Sequence, residues 1–149
     1  MTEYPAVTIE RELDASIERV YEAWTQPAKL LKWFHGSEAV RVESVDVDLR
    51  EGGAYRITLR DPEDEMVVFG HYTRVDPPRS LEFTWQWAVS SLEKAETLVL
   101  VELESHGPRT LLRLTHSRLS SERSSQAHDA GWSGVLSSLA SFVRLETNS

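Results

Sequence analysis

The sequence predicts a single α+β domain in which a curved antiparallel sheet wraps around a long C-terminal helix. Between Val40 and His116, apolar residues recur at every second position, in segments separated by turn-forming Gly, Pro and Asp residues. That pattern is typical of a meander of antiparallel strands. After Ser121, apolar residues recur at every third or fourth position up to about Leu145, which indicates one amphipathic helix. Such a helix must bury its apolar face, and the sheet offers the surface for it.

The N-terminal part predicts one strand and two short helices. Ala6 to Leu13 alternates between apolar and polar residues, which favours a strand. Asp14 or Ser16 can cap the helix that follows. The apolar stripe of this helix lies at helical spacing and consists of Ile17, Val20, Tyr21 and Trp24. Pro27 ends the first helix and can open the second, because its fixed φ suits a first helical turn. We expect the second helix to bury Leu30, Leu31, Trp33 and Phe34 and to end at Gly36.

Six further strands are expected in the middle of the chain. Val40 to Leu49 alternates with a slip of one residue, so a β-bulge is expected near Glu43 and Ser44. The other alternating segments are Tyr55–Leu59, Met66–Val75, Leu81–Trp87, Val99–Leu103 and Leu112–His116. The predicted turns lie at Glu51–Gly53, Asp61–Asp64, Asp76–Pro78 and His106–Pro108, and a polar loop is expected from Ser90 to Glu96.

The final helix carries one apolar face and two glycines. Ser120 or Ser121 can cap it, and its apolar face consists of Trp132, Val135, Leu136, Leu139 and Val143. Gly131 and Gly134 inside a helix each cost about 1 kcal/mol relative to Ala. We therefore expect a close approach of the helix to the sheet, or an opening beside it.

Composition excludes several classes of function. The chain has 149 residues, which suits one domain, and a net charge of −8, which disfavours nucleic acid as a partner. It contains no Cys, so disulfides, thiol nucleophiles and Cys-bound metals are excluded. Met1 to Pro5 does not open a signal peptide, and no apolar run approaches the roughly 18 residues that span a bilayer. A cytoplasmic location without a membrane partner is the expectation.

Nine short segments, in this order along the chain, resemble a known family. They are Arg11–Ser16, Val20–Thr25, Lys32–Phe34, Glu51–Tyr55, Gly70–Tyr72, Val75–Leu81, Phe83–Trp85, Thr110–His116 and Gly131–Trp132. Together they resemble the helix-grip fold of START domains and birch-pollen-allergen-like proteins, and within it the AHSA1-like domains, named after the activator of Hsp90 ATPase. The resemblance covers roughly residues 6 to 145. It implies a ligand-sized cavity between sheet and C-terminal helix, with no shared catalytic motif and no cofactor.

Large aromatic side chains are the most informative feature for function. They are Trp24, Trp33, Phe34, Tyr55, Phe69, Trp85, Trp87 and Trp132. They indicate either a pocket lined with rings, in which indole N–H groups orient an apolar or aromatic ligand, or an aromatic core with no space left over. The expected ligand contacts are Trp24, Trp33, Phe34, Tyr55, Phe69, His71, Trp85, His116, His128, Trp132 and Leu136.

Catalytic and metal motifs receive little support. His71 and His116 lie on predicted strands and are the candidates for an acid or base. Glu102 is a possible partner, but alternation places it on the strand face opposite the apolar Val99, Val101 and Leu103, which is the face expected toward water. His128 precedes Trp132 by one helical turn, so it would close the cavity mouth or pack at the helix start. Gly131 to Gly134 only approximates a serine-hydrolase elbow. No spacing typical of metal ligands occurs, and the acidic segment Asp61 to Glu65 fits a turn.

We therefore expect a protein that binds a small hydrophobic or aromatic molecule. The first alternative is an enzyme that acts on a hydrophobic substrate in the same cavity. The second, implied by the family resemblance alone, is a co-chaperone or interaction module with an Hsp90-like chaperone as its partner. A homodimer through a sheet edge or an aromatic patch is a further expectation.

Overall fold

The computed structural model describes residues 6–89, 93 and 95–147. Its elements are β1 (Val7–Leu13), α1 (Ile17–Thr25), α2 (Pro27–Trp33), β2 (Arg41–Val47), β3 (Ala54–Arg60), β4 (Glu65–Asp76), β5 (Ser80–Trp87), β6 (Thr97–His106), β7 (Arg109–Ser117) and α3 (Glu122–Thr147). This order confirms the predicted α+β architecture. The predictions for Met1 to Pro5, and those for residues 90–92 and 94 of the polar loop, lie outside the described residues.

The seven strands form one antiparallel sheet in the order β1-β7-β6-β5-β4-β3-β2. Consecutive strands from β2 to β7 are neighbours, and β1 joins the far edge beside β7. The register shifts between Val42 and Ser44 in β2, which confirms the predicted bulge, and between Tyr72 and Arg74 in β4. Bulges increase the local twist and bend of a sheet, so these two positions promote the curvature that leaves a concave face.

The two short helices begin where the sequence predicts. Ser16 caps α1 by accepting a hydrogen bond from the backbone N–H of Arg19, and Pro27 occupies the first turn of α2. The indole Nε1 of Trp33 donates to the carbonyl of Ala23 over 2.8 Å, which ties α2 to α1 in the core. Helix α2 ends at Trp33, earlier than the predicted end at Gly36.

Helix α3 packs against β1, α1 and α2 along one side. Its N-terminus is capped by Ser121, whose hydroxyl accepts a hydrogen bond from the backbone N–H of Ser124. Its buried apolar face consists of Trp132, Leu136, Leu139 and Val143, whereas Val135, the fifth residue of the predicted stripe, is only partly buried. Among the described residues, no helix has both the length and the apolar character that crossing a bilayer requires.

The two glycines in α3 have different surroundings. A Cβ atom on Gly134 would lie 2.3 Å from the backbone oxygen of Gly36, so the helix approaches the α2–β2 segment there more closely than any side chain allows. A Cβ atom on Gly131 would meet nothing within 4 Å. One glycine therefore allows a close contact, and the other borders an open space.

Candidate functional site

A cavity of about 370 Å³ lies between the first half of α3, the α2–β2 segment and the ends of β3, β4 and β5. Its walls are mostly aromatic and aliphatic. The lining residues are Phe34, His35, Gly36, Val40, Leu59, Met66, Trp85, Trp87, Val89, Ala127, His128, Gly131, Trp132 and Val135. Val89 is largely exposed, so the cavity opens to solvent near the end of β5.

The aromatic side chains fill the core beside this cavity. Trp24 packs edge-on against Trp33 with ring centroids 4.9 Å apart, and Trp85 lies 4.9 Å from Trp132. A second void of only about 20 Å³ remains among these rings, with room for about one water molecule. Aromatic packing therefore accounts for most of the interior, and usable space is concentrated at the α3 side.

The predicted ligand contacts fall into four groups. Four of them line the large cavity: Phe34, Trp85, His128 and Trp132. Two more, Trp24 and Tyr55, line the small void and not the large cavity. A third set is fully buried without lining the large cavity: Trp33, His116 and Leu136. Phe69 and His71 also do not line it and are less buried. Contact with a ligand remains a prediction for all of them.

The positions of Phe69 and His71 follow from strand pairing. Val68 and Tyr72 are buried in β4, so the alternate residues Phe69 and His71 lie on the outer face of the sheet. His71 is exposed, and its backbone N–H donates to the hydroxyl of Thr84 over 3.0 Å. Alternation had placed both residues on one face correctly, but that face is the outer one.

His116 is held as a neutral ring in the core. The indole Nε1 of Trp132 donates to its Nδ1 over 3.0 Å, so that nitrogen carries a lone pair. Its Nε2 lies 2.7 Å from the hydroxyl of Thr97, which itself donates to the carbonyl of Trp85. Burial, with a smaller contribution from His128, lowers the pKa of His116 from 6.5 to about 3. With both nitrogens bonded and its pKa this low, His116 is unsuited to acid–base chemistry at neutral pH.

His128 belongs to a second chain of hydrogen bonds, next to the chain that Trp132, His116 and Thr97 form. The indole Nε1 of Trp87 donates to His128 Nε2 over 3.2 Å, and His128 Nδ1 lies 2.9 Å from the carbonyl oxygen of Ser124. The hydroxyl of Ser124 donates over 2.8 Å to the carboxylate of Glu93. The rings of His116 and His128 pack edge-on with centroids 4.7 Å apart, so the two chains run side by side.

Glu93 is a buried carboxylate that sequence reasoning did not single out. Burial alone would raise the pKa of Glu93, but hydrogen bonds from the Ser120 backbone N–H and the Ser124 hydroxyl outweigh it and hold the pKa below its ordinary value. An ionised carboxylate therefore connects to His128 through the Ser124 hydroxyl. No sequence signal marks this residue, because its partners are 27 and 31 positions away.

Comparison with known proteins places the chain in a family. The family model described as activator of Hsp90 ATPase homolog 1-like protein (AHSA1) matches residues 14–144. The chain belongs to the AHSA1 family. The AHSA1 protein from Silicibacter pomeroyi is 30% identical, with a TM-score of 0.83 over 95% of this chain and 99% of that one.

Two further solved structures share the AHSA1 fold. CalU16 from Micromonospora echinospora is 27% identical over 95% of this chain and 78% of that one, with a TM-score of 0.71. A protein from Chromobacterium violaceum superposes with a TM-score of 0.84 at 22% identity, over 93% of this chain and 96% of that one, which shows the fold alone. No functionally curated protein matches the chain with significance.

Sequence reasoning missed most of the aliphatic wall of the cavity in this AHSA1 chain. Val135 lies on the predicted apolar stripe of α3, and Trp87 belongs to the aromatic set, so both had a usable signal. The only sequence signal for the cavity-lining residues Val40, Leu59 and Met66 was the alternation of apolar and polar residues in their strands, which does not mark a cavity. Within the described part of the chain, no three His, Asp or Glu side chains come close enough to hold a metal ion.

Proposed function

We propose that this protein binds one small apolar or aromatic molecule in the cavity beside α3. The cavity itself is the observation that carries the proposal. Its volume of about 370 Å³ lies within the range of roughly 300 to 1,000 Å³ typical of small-molecule sites. Three indole rings, from Trp85, Trp87 and Trp132, contribute to the wall and supply large apolar contact surfaces.

The two sides of the cavity favour burial of an apolar molecule. Helix α3 contributes Gly131 and Val135, and the opposite side contributes Val40, Leu59 and Met66. Removing apolar surface from water is worth roughly 25 cal/mol per Å², so a two-ring molecule that fits between these sides gains enough to offset part of its lost freedom. Polar side chains on the wall are few, which is the usual composition of a ligand pocket.

The two alternatives have less in their favour. Of the two histidines that the sequence offers as an acid or base, His71 is exposed on the outer face and His116 has both nitrogens bonded. Glu102, its candidate partner, is exposed. An Hsp90-type partner has family membership as its support, and a cytoplasmic location and a homodimer remain predictions from the sequence.

Filling the cavity tests the proposal. The neutral probe N-phenyl-1-naphthylamine should bind the wild type with 1:1 stoichiometry and quench tryptophan emission. Gly131→Leu should weaken this binding about tenfold or more, because the leucine projects into open space at the cavity wall. Fluorescence titration of both proteins measures the change.

Ser141→Leu is the matched control, since it adds the same side chain at an exposed position of the same helix. It should bind the probe as the wild type does. Equal affinities for Gly131→Leu and the wild type, or binding of several probe molecules per chain, would contradict a ligand site in this cavity.

A further inference from the structure

The cavity wall carries one hydrogen-bonded pair that a ligand can reach. Trp87 and His128 both line the cavity, and the bond between Trp87 Nε1 and His128 Nε2, at 3.2 Å, is only partly buried. The other histidine on the wall, His35, has its nitrogens near the carbonyl of Ser37, at 3.1 Å, and the hydroxyl of Ser138, at 3.3 Å. Trp85, a further residue of the wall, has a buried Nε1 without a hydrogen-bond partner. The hydrogen-bonded pair within reach of a ligand is that of Trp87 and His128.

The direction of the hydrogen bonds fixes what each partner offers. A carbonyl oxygen only accepts, so the short contact from His128 Nδ1 to the Ser124 carbonyl requires a proton on Nδ1. His128 Nε2 then carries a lone pair, which accepts from the Trp87 indole. This pair thus presents one donor, on Trp87, directly beside one acceptor, on His128.

We infer that the ligand of this site is a hydroxylated aromatic molecule whose hydroxyl group lies between Trp87 Nε1 and His128 Nε2. A hydroxyl accepts from the indole and donates to the imidazole at once, so both groups keep a partner when their direct bond opens. A carbonyl or ether oxygen would leave His128 without a donor, and an ammonium group would leave Trp87 without an acceptor. This inference rests on the proposed function and narrows it to a ligand class.

The groups behind His128 favour an acidic hydroxyl, such as that of a phenol, over an alkyl alcohol. His128 Nδ1 lies 3.3 Å from the Ser124 hydroxyl, which donates to the buried carboxylate of Glu93. Hydrogen bonds in such a chain polarise one another, so the negative charge makes His128 Nε2 a stronger acceptor. Stronger acceptors pair best with more acidic donors, and the surrounding indole rings suit an aromatic body.

Three probes of nearly the same shape test the inference: naphthalene, 2-naphthol and 2-methoxynaphthalene. The first has no polar group, the second donates and accepts, and the third only accepts. Isothermal titration calorimetry on the wild type should give 2-naphthol about fivefold tighter binding than 2-methoxynaphthalene, the usual net worth of one hydrogen bond. His128→Leu should reduce this ratio to near one while naphthalene binding is retained.

Two further variants separate recognition from structure. His35→Leu replaces the other histidine on the same wall and should keep the preference for 2-naphthol. Trp87→Phe removes the indole that competes for His128 Nε2, so the preference should persist or increase. If His128→Leu does not fold, the preference of Trp87→Phe for 2-naphthol over 2-methoxynaphthalene tests the inference in its place.

The outcomes distinguish the two proposals. Equal affinities of the wild type for 2-naphthol and 2-methoxynaphthalene would overturn the inference and leave the cavity as a general apolar site. A preference that survives in folded His128→Leu, or one that disappears in Trp87→Phe, would also overturn it. If none of the three probes binds the wild type, the proposed function fails together with the inference.

Discussion

Lowering the pH from 6.5 to 5 should cost this protein about 2 kcal/mol of folding free energy through the single residue His116. Because the pKa of His116 in the folded chain is about 3, below its ordinary value of 6.5, the unfolded chain takes up the proton first. The stabilisation is fully present above pH 6.5 and is lost as the pH falls toward 3. The total loss over that window is about 5 kcal/mol, at about 1.4 kcal/mol per pKa unit.

Urea unfolding at a series of pH values measures this loss. His116→Asn should have a flatter dependence between pH 7 and 5, because the titrating ring is gone, whatever its absolute stability. His71→Asn is the matched control: it replaces an exposed histidine and should keep the slope of the wild type. Identical slopes for all three proteins, or a histidine signal of His116 that titrates near pH 6.5 in NMR spectra, would contradict a neutral core imidazole.

Gly134→Ala should destabilise the protein by about 1 to 3 kcal/mol, whereas Gly131→Ala should stabilise it by about 0.5 to 1 kcal/mol. Both changes gain helix propensity. At Gly134 the added Cβ would lie 2.3 Å from the Gly36 backbone oxygen, so α3 or the α2–β2 segment must move. At Gly131 the added Cβ meets nothing within 4 Å. The same substitution, Gly to Ala, therefore has opposite effects on the free energy of unfolding at two positions three residues apart.

Thermal and urea unfolding of the two variants and the wild type at pH 7 measures both changes in stability. Gly131→Ala serves as the internal reference for the gain in helix propensity. Equal effects of the two substitutions would show that α3 does not approach the segment at Gly36 as closely as described. A large destabilisation by Gly131→Ala would show that the space beside this residue is already filled.

Local pattern was sufficient to predict the fold. Alternation predicted every strand, and the one-residue slip near Glu43 and Ser44 predicted a bulge that the register confirms. Ser16 and Pro27 marked the starts of α1 and α2 because their chemistry acts on the nearest turn of backbone. The cost of two glycines in α3 predicted a close approach to the sheet or an opening; the structure has the close approach at Gly134, to the α2–β2 segment, and open space at Gly131.

The site was less predictable because it depends on contacts between distant segments. Alternation groups Phe69 with His71, but only pairing with neighbouring strands decides which face is inside. Glu93 has no local signal, and it acquires its surroundings from Ser120 and Ser124 at the start of α3. Trp33 and Leu136 were correctly expected inside, yet burial alone does not say whether a side chain meets a cavity or other atoms.

Intermolecular NOEs in the complex with N-phenyl-1-naphthylamine test the existence of the ligand site most directly. We expect contacts from the probe to the methyl groups of Val40, Met66 and Val135, which lie on different sides of the cavity. Contacts confined to the exposed side chains Leu31, Leu49 and Leu145 would place the probe on the surface and contradict the account.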